Sequence, residues 1–339
     1  MAAKYRRAQA PAQRALRTLL AVLPRSVRAQ RAGRDTGAEL VIGDRTLRVQ
    51  WIGEGNLGDA RRLLVRRRGR PDIAVARRLS PGAREALSAA GIGWVDETGA
   101  AEITVGSILV SRIGRPPKPV GKPTGWAPAV LAVAEALLCG THATVSATAT
   151  ATGLSSGSCT HALRVLTDLG LLEARAQRGR WSARQLSDPD RLLEAYASAA
   201  GQAASSVHLQ VGVTWRDPVA GLAATGSKWS RAKLRWAATG TAAAAVIAPY
   251  LTAITSTEVF VDAENIPGLE AASAAAGLRP LEGGRLTLRS FPSVAVRQLA
   301  TRAGGIWLAP WPRVYVDLRG TGVRGEEAAL HLLEVLRAG

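Results

Sequence analysis

Residues 128–183 have the sequence PAVLAVAEALLCGTHATVSATATATGLSSGSCTHALRVLTDLGLLEARAQRGRWSA, which decides the fold predicted for the centre of the chain. The apolar residues that open this stretch recur at helical spacing, and Ser146–Thr152 forms a second, weaker helix. Gly153–Ser155 supplies a tight turn and a capping hydroxyl for a third helix over Ser156–Leu169. Residues 171–183 then form a hairpin. This order of elements predicts a winged helix-turn-helix.

The third helix has an apolar side and an exposed side with short polar residues near its start. A helix that contacts base edges in the major groove needs such side chains, because its backbone must come close to the DNA. Arg178 and Arg180 lie at the tip of the predicted wing, where they suit phosphates or the minor groove. A winged helix that contacts protein instead of DNA is the alternative, because residues 124–187 hold five Arg and three acidic residues and so carry little net positive charge. The predicted contacts on the helix are Ser156, Ser158, Thr160, His161 and Arg164.

Positive charge is concentrated before the central module. The formal net charge is +18, and residues 1–123 hold 24 Lys and Arg against 10 Asp and Glu. A polyanion is the natural partner of such a segment, since each neutralised phosphate releases a counterion. The alternative explanation of the charge is a genome biased toward GC-rich codons, which raises the Arg content without selection for binding. It is supported by the small number of Lys, five of the 44 basic residues. We predict phosphate contacts by Arg6 and Arg7 in an N-terminal arm and by Arg115 and Lys118 in a linker. The competing interpretation of the arm is a surface helix that docks on the protein body through its leucines.

The pattern of helices, strands and breakers predicts six segments. The small domain after the arm alternates strands with one helix over Pro81–Ala90, and Arg62–Val65 is a further candidate strand. In the C-terminal domain, Leu234–Ala248 is predicted as helical and Val314–Leu318 as a strand. The segments are a basic helical arm (1–36), an α/β domain (37–112), a Pro/Gly-rich basic linker (113–125), the winged helix-turn-helix (126–187), a connecting helix (188–206) and a C-terminal α/β domain (207–339).

Catalytic patterns are incomplete. A metal-dependent nuclease of the restriction type would need, besides Asp72, an Asp/Glu-x-Lys motif on the next strand, but no Lys occurs between residues 5 and 117. Gly226-Ser227 with Asp262 and Glu264 is superficially similar to a nucleotidyltransferase motif. The Gly-Ser pair and the two carboxylates are, however, further apart in the chain than that compact motif tolerates. Four His, two Cys and no Cys-x-x-Cys motif disfavour a metal site. We expect no catalytic residue, cofactor or metal.

A set of segments spread along the chain carries a family resemblance. Besides the winged helix, they are Leu79–Leu87, Gly91–Gly99, Trp236–Gly240, Ala243–Leu251, Val314–Leu318 and Gly325–Leu333. Together they resemble the AbiEi-type transcriptional regulators, the antitoxins of type IV toxin–antitoxin (abortive infection) systems. The similarity is to actinobacterial members, in which a degenerate restriction-endonuclease-like domain precedes the winged helix. It implies a DNA-binding antitoxin that represses its own operon and opposes a nucleotidyltransferase toxin without necessarily touching it.

These observations predict a mixed α+β protein: a small restriction-endonuclease-like α/β domain, a central winged helix-turn-helix and a C-terminal α/β domain. The expected function is sequence-specific binding of double-stranded DNA as a transcriptional regulator, in the cytoplasm at the nucleoid and without a membrane segment. A homodimer and a functional pairing with a nucleotidyltransferase toxin stay open as partnerships. The alternatives are a metal-dependent nuclease or nucleotidyltransferase that docks through the winged helix, and a DNA-docking subunit of a chromosomal or replication assembly.

Overall fold

A computed structural model of the chain contains two mixed β-sheets with helices packed on them. The predicted mixed α+β class is confirmed. The chain divides into two units, Met1–Pro119 and Val120–Gly339. The structure describes residues 11–24, 29–32, 38–42, 45–66, 69–105, 108–114, 126–174, 184–202 and 207–338.

The first unit is built on a seven-stranded sheet in which the strands follow one another in chain order. The central pairs β3–β4 and β4–β5 are parallel, and the outer pairs are antiparallel. All four residues of β4 are buried, as expected for a strand covered on both faces. The strands are β1 (Ala29–Ala32), β2 (Ala38–Ile42), β3 (Arg45–Trp51), β4 (Ile73–Ala76), β5 (Gly93–Asp96), β6 (Ala100–Val105) and β7 (Ile108–Ile113).

Helix α1 (Pro11–Val22) covers one face of this sheet with its leucine stripe. Leu16 and Leu19 are buried there, while Arg14 pairs with Glu97 at 2.6 Å. The segment predicted as a helical arm, residues 1–36, also contains a strand, because β1 follows α1 and forms the edge of the sheet.

The other face of the sheet carries α2 (Leu57–Leu64) and α3 (Pro81–Ala89), which connect the parallel strands. The predicted strand over Arg62–Val65 is wrong, because this segment is the end of α2. Asn56 and Asp59 cap each other's backbone at the start of that helix, with the Asn56 side chain accepting from the Asp59 N–H at 2.8 Å.

The second unit begins with helices α4 (Pro128–Leu138), α5 (Val145–Thr152) and α6 (Ser156–Asp168). A short antiparallel pair follows, β8 (Glu173–Ala174) with β9 (Arg184–Gln185). Then comes α7, which spans Pro189–Gln202.

The rest of the second unit is a seven-stranded sheet with helices against it. The strand order is β13-β10-β14-β12-β11-β16-β15. Its strands are β10 (His208–Gly212), β11 (Trp236–Thr239), β12 (Thr257–Val261), β13 (Arg279–Pro280), β14 (Leu286–Ser290), β15 (Thr301–Ala303) and β16 (Ile306–Leu308). Its helices are α8 (Pro218–Arg231), α9 (Gly240–Ile247), α10 (Ile266–Ala275), α11 (Val294–Gln298), α12 (Trp311–Arg319) and α13 (Val323–Ala338).

Two predictions for this region are wrong. Val314–Leu318 lies inside helix α12, where Pro312 to Leu318 are all buried. Because this stretch has no solvent-facing side, its sequence lacks the helical alternation of apolar and polar residues. The predicted helix over Leu234–Ala248 begins as strand β11 and becomes helical only at Gly240. Among the described residues, no helix combines the length and apolar character needed to cross a bilayer.

A single hydrophobic core joins helices α4–α7 to the C-terminal sheet. Leu163 of α6 and Tyr196 of α7 belong to the same cluster of buried residues as Phe260 of β12 and Val314 of α12. These helices are therefore packed into the second unit instead of forming a separate lobe.

Candidate nucleic-acid interface

The turn between α5 and α6 is defined at both ends by local backbone geometry. Gly153 ends α5 with a φ of 68°, in the left-handed region that favours glycine. Two residues later, the Ser155 hydroxyl accepts a hydrogen bond from the Ser158 N–H at 3.2 Å and caps α6. The two helices are thus joined by a short connection with little freedom.

Helix α5 is rich in threonine, which weakens a helix, and buried hydroxyl contacts compensate for it. The Thr148 hydroxyl donates to the Thr144 carbonyl at 2.7 Å, and Thr152 donates to the Thr148 carbonyl at 2.6 Å. Both side chains are fully buried, and Thr152 also lies 3.9 Å from the Cys159 sulfur of α6. Because these hydroxyls are satisfied inside the helix, the threonine face can pack against α6.

Helix α6 has the two-sided character predicted for it. Cys159, Ala162, Leu163 and Leu166 are buried. The predicted contact residues are exposed with one exception, since Ser158 is half-buried and its hydroxyl hydrogen-bonds to the Ser155 hydroxyl at 3.0 Å. Ser158 therefore serves the cap. The exposed members of the predicted set are Ser156, Thr160, His161 and Arg164.

The exposed side of α6 is rich in hydrogen-bond donors. An Arg164 guanidinium nitrogen lies 3.0 Å from His161 Nδ1, and a guanidinium has only donors, so Nδ1 is the acceptor. The neutral imidazole then carries its proton on Nε2. The pair offers this N–H and the remaining guanidinium N–H groups as donors. Thr160 uses its proton on the Ser156 carbonyl at 2.8 Å, so its oxygen is left as an acceptor.

The first turn of α6 leaves room for a close approach to its backbone. A Cβ placed on the exposed Gly157 would meet only the Ser155 hydroxyl, at 4.0 Å. A glycine in open surroundings at this position lets another molecule come nearer to the helix backbone than a side chain would.

The base of the predicted wing is attached to α6. In the β8–β9 pair, Glu173 is opposite Gln185, and Arg184 Nε donates to the Thr167 hydroxyl of α6 at 3.0 Å. Leu171 and Leu172, predicted as the start of the hairpin, are buried in the core before β8 begins, and residues 175–183 of the predicted hairpin lie outside the described residues. The other predicted contacts, namely Arg178, Arg180, Arg115, Lys118, Arg6 and Arg7, lie outside the described residues.

Behind the helix-turn-helix lies a buried carboxyl group that sequence reasoning missed. Glu135 of α4 is 2% exposed, and its Oε1 has no hydrogen-bond partner among the described residues. Burial raises the pKa of Glu135 to about 8, against opposing effects of the Arg313 charge and a hydrogen bond from Tyr196. Burial likewise raises the pKa of Tyr196. Glu135 is the single charged residue of an otherwise apolar helix, which is the signal that could have revealed it.

The Arg313 guanidinium near Glu135 is held by a carboxylate of its own helix. Arg313 Nε donates to Asp317 Oδ2 at 3.1 Å, and Arg313 Nη2 donates to Asp317 Oδ1 at 2.5 Å. Asp317 also accepts from the Thr239 hydroxyl at 2.7 Å and from Arg289 at 3.4 Å. This two-point pairing satisfies most of the polar atoms in a buried network that joins α12 to the C-terminal sheet.

The residues of the rejected catalytic patterns make ordinary structural contacts. Asp72 accepts from the Arg48 N–H at 2.7 Å, and Asp262 pairs with Arg297 at 2.9 Å. Gly226 is buried in α8 under the Trp236 ring, and the Ser227 hydroxyl donates to a carbonyl of its own helix. In the part of the chain that the structure describes, no three His, Cys, Asp or Glu side chains are placed to hold a metal ion.

Compared with known proteins, the chain matches no protein-family model, no curated protein and no solved structure. The chemistry of the site therefore rests on its own residues.

Proposed function

We propose that this protein binds double-stranded DNA with sequence preference by placing the exposed face of α6 in the major groove. The observation that carries this proposal is the two-sided α6, capped and held behind a left-handed glycine turn. Its buried side is part of the core, and its solvent side carries Thr160, His161 and Arg164.

The chemistry of this face fits duplex DNA. The major groove is about 12 Å wide, which admits an α-helix, and its base edges present both acceptors and donors. The His161–Arg164 pair supplies donors suited to guanine O6 and N7 or to phosphate oxygens, whereas the Thr160 oxygen supplies an acceptor. Arg178 and Arg180 of the wing, and the basic residues of the arm and linker, would add contacts to phosphates.

A regulator of transcription is the role that best fits sequence-selective DNA binding in this chain. By the resemblance described above, it would repress its own operon as a type IV antitoxin, in functional opposition to a nucleotidyltransferase toxin. A homodimer would place two copies of α6 on two half-sites of an operator. We place this activity at the nucleoid in the cytoplasm.

The test is to select bound duplexes from a random library and to compare the base preference of variants. We expect the double variant Thr160→Ala with His161→Ala to lose preference at one or more base pairs while it still binds random duplex, because phosphate contacts persist. The same Thr-His pair occurs at Thr141 and His142, before α5, and its double alanine variant is the control with unchanged base preference. Equal losses on selected and random duplex from the α6 variant would refute the assignment.

A further inference from the structure

The C-terminal part of the second unit places an amide group against the helix-turn-helix turn. Gln298, the last residue of α11, is exposed, and its side chain lies beside Gly153. A Cβ added to Gly153 would lie 2.5 Å from Gln298 Nε2 and 2.8 Å from Gln298 Oε1. Sequence reasoning could not find this contact, because the two residues are far apart in the chain.

Gly153 has a backbone conformation that favours glycine and an amide as its neighbour. Its φ of 68° lies in the left-handed region, which asparagine also adopts at modest cost. A side chain at this position would displace the exposed Gln298 amide from its place beside the turn. The glycine thus leaves room for Gln298 to lie there.

Helix α11 is anchored, so the amide extends from a fixed support. The Ser293 hydroxyl caps the helix by accepting from the Val296 N–H at 3.2 Å. Val296 is 1% exposed and belongs to the core cluster of the second unit. On the next residue, Arg297 pairs with Asp262 at 2.9 Å.

The Gln298 amide keeps its hydrogen-bonding capacity for another molecule. Among the described residues it has no hydrogen-bond partner, and the exposed cap residue Ser155 follows Gly153 by two positions. Gln298 thus lies beside the turn that precedes Ser156 and Gly157, while α11 itself packs against α4 and α5.

We propose that Gln298 is a DNA-contacting residue that the C-terminal part of the protein adds to the helix-turn-helix. Its Nε2 donates a hydrogen bond to an acceptor of the duplex beside the α6 site. A phosphate oxygen and a base edge are the two sources of that acceptor. This inference rests on the proposed function of α6 and extends the interface across the turn onto α11.

Two substitutions of similar size test the proposal in the full-length chain. Gln298→Leu removes both hydrogen-bonding atoms, and Gln298→Glu replaces the donor with a negative charge near the phosphates. On a duplex selected by the wild-type protein, we expect roughly 2- to 10-fold weaker binding for the leucine variant, the effect of one hydrogen bond. The glutamate variant should bind more weakly still, and its deficit should shrink as salt rises.

The order of the two variants separates a DNA contact from a merely structural role. A side chain that only supports the turn would tolerate glutamate, so binding by Gln298→Glu that equals or exceeds binding by Gln298→Leu would overturn the proposal. Wild-type affinity in both variants would also overturn it. The control is Ala271 on the exposed side of α10, which packs away from the helix-turn-helix, and its replacement by leucine or glutamate should leave affinity unchanged.

Base preference identifies the acceptor, and the α6 variant identifies which proposal fails. A loss in Gln298→Leu that is equal for all sequences supports a phosphate contact, and a loss confined to one base pair supports a base edge. If Thr160→Ala with His161→Ala changes base preference and the Gln298 variants change nothing, only the Gln298 contact is wrong. If the α6 double variant also has no effect on preference, the α6 assignment itself is wrong.

Discussion

Replacing Glu135 by glutamine should change how the stability of the second unit depends on pH. The folded protein keeps the Glu135 carboxyl protonated up to a pKa of about 8, whereas its ordinary value is 4.5. Between these values the unfolded chain releases the proton and the folded chain retains it. The wild-type protein therefore loses stability as pH rises from 4.5 to 8, and Glu135→Gln does not lose this contribution.

The size of the effect follows from the displacement of the pKa. One pH unit corresponds to about 1.4 kcal/mol, so the contribution of Glu135 to the free energy of unfolding falls by up to about 5 kcal/mol across this range. By pH 7 about 3 kcal/mol of that fall has occurred. The stability of the glutamine variant relative to the wild type should be lowest near pH 4.5 and highest near pH 8.

Urea unfolding at a series of pH values from 5 to 8 measures the difference. Fluorescence of Trp229 and Trp236, both in the core cluster of the second unit, reports the transition. The decisive quantity is the slope of the stability difference against pH, because an unpaired glutamine amide would shift the whole curve by a constant amount. Glu264→Gln, at an exposed position, is the control. Parallel curves for wild type and Glu135→Gln would refute the reasoning.

Two further substitutions test the turn and the buried ion pair. Gly153→Ala should destabilise the protein by about 1–2 kcal/mol through its left-handed φ, and Gly140→Ala should cost a similar amount, because the exposed Gln298 amide beside Gly153 can move aside. Thermal unfolding of both variants checks this, and a much larger loss for Gly153→Ala would contradict a mobile amide. Asp317→Asn should cost about 3–5 kcal/mol, because it leaves the buried Arg313 without its carboxylate. Asp190→Asn, in an exposed pair, should cost less than about 1 kcal/mol in the same urea titration, and a comparable loss there would contradict the role of burial.

Helices α4, α5 and α6 could be located from sequence because their signals are local. Pro128 opens α4, Ser155 caps α6 and Gly153 sets the turn, and each acts on residues within one helical turn. The exposed face of α6 follows from the 3.6-residue period of its buried side chains. These parts of the site needed no knowledge of distant contacts.

The errors arose where the environment, and not the local sequence, decides the structure. Helix α12 is buried on all sides, so its Val-Tyr-Val-Asp-Leu sequence alternates like a strand. Helix α2 was not predicted, because its capping box begins at Asn56 and the prediction considered only its arginine-containing end, Arg62–Val65, as a strand. Glu135 with Arg313, and Gly153 with Gln298, meet only after distant parts of the chain fold together, and no pattern within a short window predicts such pairs.

The contrast between the two sheets has a consequence for biosynthesis. In the first unit each strand pairs with its neighbour in the chain, so pairing can proceed as the polypeptide leaves the ribosome. In the second unit, α4 packs against α11 and α12, and the last strand pairs form late in the chain. A nascent chain must therefore be translated nearly to its end before α4 acquires all its packing partners, and under the proposed function DNA binding would begin only after that point.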